Sequence, residues 1–106
     1  MHLLFRDSAT RYRFQMSLDL ASLQADLPGA VGHEPFDREE TPAGLTFTGR
    51  PPSSRWTIRI TPLPPLRLGA LALPRLEVLL DLAGHSATEA EAFAKRFLSH
   101  LQRAGG

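Results

Sequence analysis

The sequence predicts an α+β domain, an antiparallel sheet of four to five strands with a short helix after the first long strand and a long C-terminal helix packed on one face. Three observations predict it. Residues 11–18 alternate, with Tyr12, Phe14, Met16 and Leu18 on one side and Arg11, Arg13, Gln15 and Ser17 on the other; period two is the signature of a half-buried strand. The stretches 55–61 and 76–82 alternate in the same way. Residues 86–103 instead carry Ala90, Phe93, Ala94, Phe97, Leu98 and Leu101 at helical spacing.

The elements follow in order. Leu3–Arg6 is a candidate hairpin partner for the first long strand, across Asp7-Ser8-Ala9-Thr10. At Asp19 the period changes: Leu20, Leu23 and Leu27 are three and four apart, Asp19 suits an N-cap, and Pro28-Gly29 suits a stop. A helix of about two turns is expected. Residues 28–44 hold Pro28, Gly29, Gly32, Pro35, Pro42 and Gly44 with the acids Asp37, Glu39 and Glu40, and read as a long surface loop. Leu45 and Phe47 alternate with Thr46 and Thr48 as the second strand. Gly49–Ser54 is a breaker-rich turn. Trp56, Ile58 and Ile60 face inward on the third strand, which makes a hairpin with the second.

Pro62-Leu63-Pro64-Pro65 cannot continue a central strand. The segment to Pro74 is expected either as a short edge strand or as a loop over the open end of the core. Leu76, Val78, Leu80 and Leu82 then alternate with Glu77, Leu79 and Asp81 as the last strand, ended by Gly84. Ser86 and Glu89 match a capping box, and acids early with bases late suit the macrodipole of the final helix. Its place is across Tyr12, Phe14, Phe47, Trp56, Ile58, Val78 and Leu80.

Composition narrows the function classes. The 106 residues fit one domain, 1–106, and 42% apolar residues supply a core. A formal net charge of +1 is too small for a purely electrostatic grip on nucleic acid or anionic lipid. Lys95 is the only lysine among 12 basic residues; with plentiful Ala, Leu, Gly and Pro this matches a GC-rich bacterial genome. There is no cysteine, hence no disulfide, thiolate metal site or cysteine nucleophile. The apolar run after Met1 is too short for a signal peptide. The stretch 63–83 is interrupted by prolines and charges and cannot span a bilayer. A cytoplasmic protein is expected.

Chemistry-bearing motifs are sparse. His33, Glu34, Asp37 and Glu39 gather possible metal ligands, but on a loop with no spacing to aim them. His85 and His100 are about four turns apart along the last helix, too far for one site. Neither a Gly-x-Ser-x-Gly elbow nor a Gly-rich phosphate loop is present. No enzyme activity, cofactor or metal is expected.

The outward sheet face is the candidate binding surface, with Arg11, Arg13, Arg55 and Arg59 among Thr46, Thr48, Thr57 and Thr61. Sheets that bind RNA stack bases on exposed aromatics, and here the aromatics alternate to the opposite side. Glu77 and Asp81 are expected to pair with the arginines. The Gly105-Gly106 tail resembles that of ubiquitin-like and sulfur-carrier proteins, over four residues; their tail follows a strand, whereas this one follows a helix, where glycine is a common stop. The order of strand, short helix, antiparallel sheet and long C-terminal helix resembles the helix-grip domains that bind lipids and polyketides, by architecture alone.

These readings predict function by binding, as a small accessory or interaction module. One helix cannot cover a sheet this wide. The leucines at 63, 66, 68, 71, 73 and 79 therefore call for a loop, a protein partner or a homodimer through a sheet edge or the Leu63–Leu73 segment. The alternative is a small apolar-ligand-binding domain, its pocket lying between the last helix and Phe14, Phe47 and Trp56. A carrier with a reactive Gly-Gly tail is the third reading.

Overall fold

The alternating segments pair as their periodicity requires. The computed structural model describes the backbone of residues 3–50 and 55–103, and the side chains of 8–50 and 55–102. In chain order the elements are β1 (Leu3–Ser8), β2 (Arg11–Met16), α1 (Leu20–Ala30), β3 (Phe36–Thr41), β4 (Gly44–Gly49), β5 (Thr57–Leu68), β6 (Leu71–Asp81) and α2 (Ala87–Arg103). All strands lie in one sheet, ordered β1-β2-β6-β5-β4-β3, and every neighbouring pair is antiparallel. The α+β class, the short helix after the first long strand and the long C-terminal helix are as the sequence predicts.

The core lies on one face of this sheet. Across it Tyr12 opposes Leu80, Leu80 opposes Ile58, and Ile58 opposes Phe47. The next row sets Phe14 against Val78 and Val78 against Ile60. Both helices cover these rows. α1 contributes Leu23, Leu27 and Ala30, and α2 contributes Ala90, Phe93, Phe97 and Leu101, all buried. Ring contacts lock α2 down: Trp56 to Phe93 at 6.1 Å and Phe14 to Phe97 at 5.9 Å between centroids. Such tilted pairs add stability beyond the area they bury.

The predicted caps form. Asp19 accepts from the Ser22 backbone N–H at 2.8 Å, and that bond holds its carboxyl below the ordinary range. At α2, Ser86 N–H donates to Glu89 Oε1 at 2.9 Å while Glu89 N–H donates to Ser86 Oγ at 3.2 Å. The bond from Ser86 N–H likewise lowers the Glu89 carboxyl.

The structure differs from the sequence reading at three places. The stretch 28–44 is not one loop: Phe36–Thr41 forms an edge strand, so the sheet has six strands where four to five were expected. Its residues are polar and exposed because only one neighbour flanks it, and a charged edge resists pairing with foreign strands. Phe36 is half-buried on the core side, 5.7 Å from Phe47 and 6.0 Å from Trp56, and Arg38 on the same side reaches Gln24 of α1.

Second, α1 runs through Pro28-Gly29 to Ala30. Val31 caps the helix, and the chain turns away just beyond it at Gly32, φ +69°, and His33, φ +60°, whose N–H reaches back to the Pro28 carbonyl at 2.7 Å. That left-handed pair is a helix stop. Gly29 serves packing: a Cβ there would lie 2.5 Å from the His100 ring of α2. Third, residues 62–74 form neither a short edge strand nor a loop. They complete a long β5–β6 hairpin turning at Gly69, φ +60°.

Candidate interaction surface

The β5–β6 hairpin outgrows the sheet. β4 pairs with β5 only as far as Ile60, and β2 with β6 only as far as Leu76. Beyond those points the two strands run alone as an arm, which accounts for overall dimensions of 47 × 25 × 24 Å. The prolines fit because no strand flanks the arm's outer edges to take a backbone N–H; on the β6 side the Pro74 carbonyl accepts from Ser17 Oγ at 3.3 Å. Pro62, Pro64 and Pro65 lie on the β5 side and Pro74 on the β6 side. The register shifts between Leu63 and Leu66, a bulge at Pro64-Pro65, and Arg75 Nε donates to the Pro64 carbonyl at 3.0 Å to brace it.

Register decides which way the leucines point. Leu66 opposes Leu73, Leu68 opposes Leu71, and Leu63 opposes Arg75. Alternation from Leu79 and Glu77 places all of them on the sheet face that the helices leave uncovered. Leu66, Leu68 and Leu71 are 42%, 54% and 63% exposed. Five leucines thus form one apolar face on a protruding arm, and Arg75, Glu77 and Thr61 separate it from partly exposed Leu79 on the body. Arg67 and Ala72 point to the other side.

The body's uncovered face holds three of the four candidate arginines. In one row Arg13 and Arg59 flank Leu79, with Thr46 beyond Arg59. In the next row Arg11 opposes Asp81, with Thr57 and Thr48 beyond. Arg11 Nε sits 3.7 Å from Asp81, the cross-strand pair that the sequence implies. Glu77 lies between Gln15 and Thr61 and has no ion pair among the described residues. Arg55 stands apart: it precedes β5, and its stem lies against Gly84. There it borders a shallow cleft of about 400 Å³ with Thr48, Trp56, Thr57 and Asp81.

The other candidates are placed as follows. Phe14, Phe47 and Trp56, the proposed walls of a ligand pocket, are buried in ring contact with Phe97, Phe36 and Phe93. Asp37 is engaged by Arg50, 2.8 Å from Nε, and this bond raises the guanidinium above its ordinary value. Arg38 bonds Gln24 at 3.0 Å and Glu40 at 2.9 Å. Among the described residues no group of three His, Asp or Glu is placed to hold a metal, and no helix is long and apolar enough to cross a membrane. Gly105-Gly106 lies outside the described residues.

Sequence reasoning missed the arm, although a signal was there. Leu66 and Leu68, then Leu71 and Leu73, alternate on either side of Gly69-Ala70, the pattern of a tight hairpin. The prolines masked it. No protein-family model, curated protein or solved structure matches this chain.

Proposed function

We propose that this protein is a small interaction module that works by binding another protein surface, not by chemistry, through the leucine face of the β5–β6 arm. The observation that carries the reading is three leucines, 42%, 54% and 63% exposed, aligned by register on an arm that contributes little to the core. Leucines left in water on one face, with prolines guarding both edges, mark a surface read by side chains and not by strand addition. Arg13 and Arg59 beside Leu79 supply the polar rim of such a surface.

The test is a photo-crosslinking amino acid at position 68, used in cells of the native host. A discrete, saturable adduct, competed by unlabelled protein and lost on Leu66→Ser with Leu71→Ser, is expected. Crosslinking that stays diffuse, or that survives both substitutions, would refute the reading.

A further inference from the structure

We infer that the partner is a second copy of this chain, stacked face to face so that each arm lies over the other's sheet. The inference rests on the reading of the arm as a binding surface. It comes from the order of side chains that β6 presents on the uncovered face: Leu71, Leu73, Arg75, Glu77, Leu79 and Asp81. About its midpoint at Leu76 the inner four of this row, Leu73, Arg75, Glu77 and Leu79, are complementary to themselves, and the ends set Leu71 against Asp81. A two-fold axis midway between the two stacked faces, perpendicular to the strands at Leu76, sets β6 antiparallel over the partner's β6. Arg75 then meets the partner's Glu77, Leu73 meets the partner's Leu79, and each contact occurs twice. Such reciprocity defines an isologous interface.

Three further observations select this occupant. Arg75 and Glu77 have no ion pair among the described residues, and both are partly exposed. Arg75 uses Nε on the Pro64 carbonyl, which fixes its stem and leaves its terminal nitrogens available. Area gives the second argument. Arm against arm alone would join a few leucines a side, short of the roughly 800 Å² per partner of a stable interface. Laying each arm on the partner's sheet face brings in two such patches instead of one. Third, the charged strand β3 and the prolines of the arm disfavour strand-to-strand pairing at that edge of the sheet and along the arm, so the arm docks by its face.

Charge reversal tests this register directly, by sedimentation equilibrium of the full chain from about 1 µM to 1 mM. The native protein is expected to dimerise. Arg75→Glu sets an acid against the partner's Glu77 in both contacts, and Glu77→Arg sets a cation against the partner's Arg75 in both. Each is expected to weaken the dimer at least tenfold while melting, at concentrations low enough to be monomeric, at the temperature of the equally dilute native chain. Mixing the two single variants restores every pair, so they are expected to form a heterodimer, and the chain carrying both exchanges is expected to dimerise again. A native chain that stays monomeric to 1 mM, or single variants that do not associate on mixing, would overturn the inference. A monomer whose position 68 still crosslinks a different protein would end the self-association proposal and leave the interaction reading standing.

Discussion

Truncation of Phe97 to alanine tests the docking of α2. Phe97 is completely buried, packed 5.9 Å from Phe14 on β2 and 6.4 Å from Phe93 on its own helix. Removing the ring deletes apolar contact and leaves a cavity that neither the sheet nor α1 can close, because Phe14, Trp56 and Leu27 are held by their own neighbours. Core Phe→Ala changes cost about 3–5 kcal/mol. A domain of this size has about 5–15 kcal/mol in all. At about 4 °C per kcal/mol the melting temperature should fall on the order of 15 °C. The assay is thermal and urea unfolding followed by circular dichroism, and Phe36→Ala, at the half-exposed edge, serves as the milder comparison. A double-mutant cycle of Phe14→Leu with Phe97→Leu should return a coupling of about 0.5–1.5 kcal/mol from the ring pair. A Phe97→Ala protein melting within about 3 °C of the parent would refute the packing of α2 on β2 described above.

Three other outcomes are expected. Gly29→Ala would place a Cβ 2.5 Å from the end of the His100 ring, which offsets the roughly 1 kcal/mol that alanine gains over glycine in a helix, so the substitution should be more stabilising in a His100→Ala background than in the parent in the same melt. The depressed carboxyls of Asp19 and Glu89 contribute stability present above their unfolded values, 3.8 and 4.5, and lost as pH falls through the lower folded ones; Asp19→Asn and Glu89→Gln should therefore lower the melting temperature at pH 7 and converge with the parent in strong acid. Leu68→Ser and Leu71→Ser, at exposed arm positions, should shift stability by no more than about 0.5 kcal/mol, and equal melting curves with lost association would separate the arm's role from folding.

The sequence by itself determined the elements whose two sides differ in polarity. β2, β4, β5 and β6 each have one wet and one buried face, so period two is written into their residues. α2 has an apolar stripe and its own capping box, both local features of consecutive residues. The core list followed from the same alternation: Tyr12, Phe14, Phe47, Trp56, Ile58, Val78 and Leu80 are all buried. Tertiary structure alone decided the rest. β3 is a strand because β4 offers a free edge to Phe36–Thr41, and pairing with a neighbour leaves no mark on a segment exposed on both faces. Gly29 lies inside the helix without a side chain because His100 occupies the space where a Cβ would go, a contact 71 positions away in sequence. Leu66 and Leu68 join Leu63, Leu71 and Leu73 on the face of Leu79 and Arg59 only because the bulge at Pro64-Pro65 shifts the register between Leu63 and Leu66. A side chain's face is a property of the pairing, and a two-residue bulge changes the pairing without changing the composition.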